Sequence, residues 1–190
     1  NRIMDNEIKL YTVTVFSENT VGLLNQITII FTRRQLNIET LSVSPSALEG
    51  IHKFTITVNT THDIIEKVVK QIDKRVGVIK SFFNVDENLV HQEIALYKIA
   101  TSEVLERGTL EKLIYQYNAH ILEITPDCVV LEKTGHNNET QEFFTELTHH
   151  FTVLQFVRSG RIAVTTSRIE RLSDMLAELE EKLKKKNLNA

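Results

Sequence analysis

The sequence predicts an α+β fold: two tandem βαββαβ units followed by a C-terminal helix. Three observations carry that expectation. Stretches that alternate apolar and polar residues, the period-two mark of half-buried strands, interleave with stretches whose apolar residues recur at helical spacing. The order strand, helix, strand, strand, helix, strand runs twice, on either side of the acidic hinge Asp86-Glu87-Asn88. A chain of 190 residues is long enough for two small domains with a core each. The expected divisions are 1–86, 87–168 and a helical extension over 169–190. Right-handed crossovers put both helices of a unit on one face of a four-stranded antiparallel sheet. The other face is then left for a partner.

In the first unit, Tyr11, Val13 and Val15 alternate with Thr12 and Thr14 as a strand with one buried face. A polar turn, Ser17 to Thr20, leads to Gly22 and to a helix whose apolar face is read as Leu24, Ile27, Thr28 and Phe31. That helix stops near Arg33-Arg34-Gln35, where cations suit the negative end of its dipole. Leu41 and Val43 share a face of the second strand, and Ser44 to Gly50 is a loop punctuated by Pro45 and Gly50. Phe54, Ile56 and Val58 alternate with Thr55 and Thr57 in a third strand. Asp63 opens a helix with core residues Ile65, Val68, Val69 and Ile72; Gly77 ends that segment and Val78 to Val85 is the fourth strand.

The second unit repeats the order. Val90 to Ala100 is extended; Leu110, Leu113, Ile114 and Tyr117 mark a helix face, with Gly108 a break or late start. Ala119 to Thr125 and Cys128 to Lys133 are strands joined by a tight turn at Pro126-Asp127. Phe143, Phe144 and Leu147 form a second helix face, and Val153 to Val157 a last strand. From Ile169 to Lys186 an apolar stripe of Ile169, Leu172, Met175, Leu176, Leu179 and Leu183 predicts a helix, folded on its own domain or used as a contact.

Composition excludes several functions. A hydrophobic share of 42% and a charged share of 25% are those of a soluble globular protein. A formal charge of -3 argues against nucleic-acid binding by bulk electrostatics. The third strand, His52 to Val58, has one aromatic residue where RNA-recognition modules stack several. No apolar run has the length of a membrane span and no signal-peptide pattern is read, so no membrane is expected. Cys128 has no second cysteine to pair with, and a cytoplasmic location is expected. The seven histidines are scattered, or adjacent and divergent as at His149-His150, so no metal site is expected. No nucleophile elbow, phosphate loop, dinucleotide fingerprint or carboxylate pair marks a catalytic site; none is expected.

The stretch Phe16 to Val43 is the candidate site. A glycine where a strand turns into a helix leaves backbone N–H groups uncovered beside a positive helix end, an arrangement that can hold the carboxylate of an amino acid. An ordinary β-α-β unit with a glycine turn has the same local pattern.

The run Glu18-Asn19-Thr20-Val21-Gly22-Leu23-Leu24, followed by Asn37-Ile38-Glu39-Thr40-Leu41-Ser42-Val43, resembles the small regulatory subunits of acetolactate synthase (acetohydroxyacid synthase). The resemblance continues through Gln92-Glu93-Ile94-Ala95-Leu96-Tyr97-Lys98, Ile124-Thr125-Pro126 and Val157-Arg158-Ser159-Gly160-Arg161, spanning about Lys9 to Thr166. It implies two ferredoxin-like domains, the first an ACT domain, a small-molecule sensor. It implies a non-catalytic partner that activates the catalytic (large) subunit and confers feedback inhibition by valine in branched-chain amino-acid synthesis. No cofactor is expected in this chain; thiamine diphosphate, Mg and FAD are expected on the catalytic subunit. The effector is expected at the seam of an ACT-domain homodimer. By motif match, Asn19, Gly22 and Asn37 fall at valine-response positions, with Leu23 and Ile38 as neighbours. The last 20 or so residues exceed a minimal bacterial subunit. The rival reading is a stand-alone ACT-type sensor regulating transcription or transport.

Overall fold

The computed structural model describes residues 7–166 and, beyond them, Asp174, Ala177 and Glu181; for residues 105–107 it describes the backbone alone. The helix expected from Ile169 to Lys186 therefore lies outside the described residues, those three positions apart. The chain divides into two units, Asn1–Val90 with Ala163–Ala190, and His91–Ile162.

In the first unit the elements run β1 (Lys9–Glu18), α1 (Leu23–Thr32), β2 (Ile38–Pro45), β3 (Ile51–Thr60), α2 (His62–Ile72) and β4 (Val78–Asn84). The sheet order is β2-β3-β1-β4, with each neighbouring pair antiparallel. The alternating residues of the two central strands meet one another: Tyr11 is opposite Val58, Val13 opposite Ile56, and Val15 opposite Phe54. All six are buried. Leu23, Ile27, Ile30 and Phe31 of α1 and Ile65, Val68, Val69 and Ile72 of α2 close the core over them. A fully buried side chain of this kind contributes roughly 1.5–3 kcal/mol.

Two expectations are corrected. The spacing places Leu24 on the core face of α1, but Leu23 is the buried residue and Leu24 is 43% exposed. Positions 23, 27, 30 and 31 satisfy helical spacing as well as 24, 27, 28 and 31 do, so the residue at which the helix begins sets its phase. Gly22, the N-cap, puts Leu23 at the first helical position. The second correction concerns the far face of the sheet, which carries the threonines as expected but is not open. Thr12, Thr14, Thr55 and Thr57 are at most 4% exposed. Thr12 is opposite Thr57 and Thr14 opposite Thr55. The Thr40 and Thr57 hydroxyls lie 2.6 Å apart in a hydrogen bond. Alternation tells which side of a strand a residue faces, not what covers that side.

A 3-10 turn at Asp86–Asn88 leads on to β5 (Leu89–Ala100), α3 (Thr101–Arg107), α4 (Leu110–Tyr117), β6 (His120–Ile124), β7 (Cys128–Gly135), α5 (Asn137–His150), β8 (Val153–Arg158) and β9 (Ile162–Thr165). Strand order is β6-β7-β5-β8, with β9 also paired to β5. The short helix α3 and the strand β9 add to the expected order. Gly108 separates α3 from α4 with φ of 57°, the left-handed conformation that ends helices.

Tyr97 is the hub of the second core. Its ring stacks on Phe156 at 5.0 Å and meets Phe143 edge-on at 4.9 Å. Its hydroxyl donates to the Thr140 carbonyl at 2.7 Å. Burial pushes the Tyr97 phenol up from its ordinary pKa, so it stays a donor. Beside it the buried Glu93 accepts from the Thr140 hydroxyl at 2.6 Å and faces the Arg158 guanidinium at 3.8 Å. A buried carboxylate is tolerated only with such partners.

The phase of α1 has a direct consequence for stability. Phe31→Ala should cost about 3–5 kcal/mol in chemical denaturation, whereas Leu24→Ala should stay near 0.5 kcal/mol. Similar costs for the two would contradict the phase described here.

Candidate functional site

The turn between β1 and α1 is held from two sides by main chain. The Glu18 N–H donates to the Gly77 carbonyl at 2.8 Å, and the Asn19 N–H to the Gly50 carbonyl at 3.0 Å. The Thr20 N–H turns back to the Glu18 carbonyl at 2.9 Å, and the Leu23 N–H to the Thr20 carbonyl at 3.2 Å. Gly77 packs close against this turn: a Cβ there would stand 3.7 Å from Leu23 and 3.8 Å from Thr20. The segment is therefore a fixed corner of the fold.

Gly22 sits at φ 85° and ψ -7°, a backbone region that costs L side chains about 1–2 kcal/mol. Its carbonyl accepts the Gln26 N–H at 3.1 Å and opens the helix. No side chain caps α1, and its first turn contains no acidic residue. Among the described residues, the Val21, Gly22, Leu24 and Asn25 N–H groups have no acceptor. Nothing lies within 4 Å of the position a Gly22 Cβ would take. An uncapped positive helix end therefore opens to solvent over a residue without a side chain, which suits a small carboxylate.

The five residues singled out in the sequence do not meet within one chain. Asn19 and Gly22 are exposed at the turn. Leu23 is 2% exposed and belongs to the core, so only its backbone reaches the turn. Asn37 is exposed just before β2, and Ile38, half-buried, packs against the core. Ile38 is opposite Val58 of β3, whose other neighbour is Tyr11; Glu18 is opposite Ile51. Seven residues of strand separate those two rows, roughly 20 Å at the usual rise per residue. Asn19 and Asn37 thus occupy opposite ends of the sheet.

Two residues escaped the sequence reading. Val21 is wholly exposed at the tip of the turn, and Leu24 follows on the open side of the first helical turn. They supply apolar surface beside the free N–H groups. The signal was partial: two branched side chains flank the Gly22-Leu23 pair, but spacing alone does not tell which of the two leucines the helix buries.

Among the described residues, no group of three or more His, Cys, Asp or Glu side chains could hold a metal ion. None of the described helices is long and apolar enough to cross a membrane. Cys128 is half-buried, its sulfur 3.4 Å from the Thr125 hydroxyl.

Comparison with known proteins is consistent along the chain. Residues 13–80 match the family described as the AHAS small subunit-like ACT domain, and residues 92–167 match the small subunit of acetolactate synthase. A probable acetolactate synthase small subunit of Archaeoglobus fulgidus is 27% identical over 154 residues, 81% of this chain and 95% of that protein. The acetolactate synthase small subunit of Bacillus subtilis is 27% identical over 166 residues, 87% of this chain and 94% of that protein. The crystal structure of the acetolactate synthase small subunit from Thermotoga maritima superposes with a TM-score of 0.76 at 25% identity, covering 85% of this chain and all of that one. With both units matched in order and the two-domain fold shared, the chain belongs to the acetolactate synthase small-subunit family.

Proposed function

We propose that this chain is a non-catalytic regulatory subunit that activates the acetolactate synthase catalytic subunit and makes it sensitive to valine. The observation that carries the reading is the Gly22 turn, an open, uncapped helix start with unused N–H groups and exposed apolar neighbours. Those N–H groups would take the valine carboxylate. Val21 and Leu24 offer surface for its isopropyl group, worth roughly 1.5–3 kcal/mol if fully buried. Asn19 and Asn37 would orient polar atoms without adding net charge.

The separation of Asn19 from Asn37 favours a site shared between two copies. An amino acid is far smaller than the distance between the ends of the sheet. If it touches both asparagines, the turn of one copy must stand against the start of β2 in another, as in a homodimer through the ACT domains. Thiamine diphosphate, Mg and FAD belong, on this reading, to the catalytic partner.

Inhibition needs more than binding. Valine must interact more favourably with the assembly in which the catalytic subunit is slow, and such couplings are typically about 1–3 kcal/mol. One methylene changes discrimination by about 1–3 kcal/mol, so leucine and isoleucine should act more weakly at the same site.

Mixing the chain with a cognate catalytic subunit should raise acetolactate formation and give a complex on a sizing column. An unchanged rate with no complex would contradict the subunit reading and favour a free-standing amino-acid sensor. Gly22→Asp sets a carboxylate where the effector carboxylate is proposed to lie, in open space and with a residue type that tolerates positive φ. That variant should lose valine inhibition by at least about 10-fold in concentration, the effect of 1.4 kcal/mol, while still activating. Inhibition identical to the unaltered chain would remove the site assignment.

A further inference from the structure

The second unit contains a polar groove that the regulatory reading does not use. It is an open groove at the surface, about 370 Å³ in volume, and Gln92, Gln116, Asn118, Glu139 and Glu142 on its walls are exposed. Lys133 of β7 lines it from the sheet. Lys133 is opposite Ala95 and lies on the same side of β7 as the core residues Val129 and Leu131. A lysine on the inner side of a sheet needs a reason. It is 7% exposed, and its ammonium donates to the Tyr117 carbonyl at the end of α4 at 2.7 Å. An ammonium has three N–H donors, so this bond leaves two for the groove.

The remaining walls are polar and of mixed charge. Gln116 and Asn118 come from the end of α4, Gln92 from β5, and Glu139 and Glu142 from α5. Glu139 is anchored, one of its carboxylate oxygens accepting the His136 N–H at 2.6 Å, which leaves the other oxygen available. Gly135 keeps this wall close, since a Cβ there would stand 2.8 Å from the Glu139 carboxylate. The groove thus has one buried cation, two carboxylates and three primary amides.

We infer that this groove is a binding site for a small zwitterionic amino acid with an uncharged polar side chain, held by the Lys133 ammonium, the Glu139 and Glu142 carboxylates and the amides of Gln92, Gln116 and Asn118. The ligand carboxylate meets Lys133 and its ammonium meets the two glutamates. The amides, each both donor and acceptor, suit a side chain with the same capacity. Two carboxylates against one lysine disfavour a ligand with an excess negative charge. The polar walls give a branched aliphatic side chain little to pack against, which separates this site from the valine site proposed at Gly22.

L-glutamine is the probe, added to the full chain in a calorimetric titration. Saturable binding is expected, weaker for L-glutamate. Lys133→Met and Glu142→Gln should each weaken it by about 10-fold or more, the effect of removing one charged hydrogen-bond partner. Gly22→Asp should leave it unchanged, so the fate of this site is read separately from that of the valine site. Glu142 is exposed, and its variant carries the test if Lys133→Met does not fold. Absence of saturable L-glutamine binding, binding indifferent to the Glu142→Gln change, or binding abolished by Gly22→Asp would each overturn the inference.

Discussion

The first unit depends on how its first strand ends. Two main-chain hydrogen bonds, Glu18 to Gly77 and Asn19 to Gly50, tie the corner after β1 to the loops before β3 and after α2. Once that corner is fixed, Gly22 at positive φ sets where α1 begins. The phase of α1 follows, sending Leu23, Ile27, Ile30 and Phe31 inward and leaving Leu24 outside. The same constraint exposes the helix start without a cap. Folding and the proposed recognition therefore draw on one piece of backbone, and a side chain at residue 22 bears on both.

Sheet register imposes a second limit. Antiparallel pairing through β3 makes β1 and β2 run in the same direction, with α1 returning the chain between them. The residue after β1 and the residue before β2 must then lie at opposite ends. On the proposed reading, a small ligand that touches both Asn19 and Asn37 would have to bridge two copies. That makes an amino-acid response, on the proposed reading, a property of an assembly, and it provides a physical route from binding to the arrangement of subunits.

Much of this was legible in the sequence because it rests on periodicity. The buried faces Tyr11, Val13, Val15 and Phe54, Ile56, Val58, the core face of α2 and the break at Gly108 follow from spacing and from glycine chemistry. Other features do not. Helical spacing admits either Leu23 or Leu24 in the core, and only the geometry of the preceding turn decides between them. Threonines mark the second face of the first sheet, yet coverage of that face is a tertiary property that alternation does not encode. Lys133 falls at an inward position of β7, where period-two reading places an apolar residue; only the structure brings α4 and α5 together around its ammonium. The sequence offers candidate site residues but not their arrangement, because the distance between Asn19 and Asn37 is set by strand register.

The shared-site account is tested most directly by complementation between two defective copies. Gly22→Asp and Asn37→Ala chains would each be insensitive to valine alone with the catalytic subunit. Mixed dimers of the two contain one doubly altered site and one with both wild-type residues, Gly22 from one copy and Asn37 from the other. The account predicts that co-folding the two variants restores part of the valine inhibition. A mixture as insensitive as either variant, with mixed dimers demonstrably present, would contradict it.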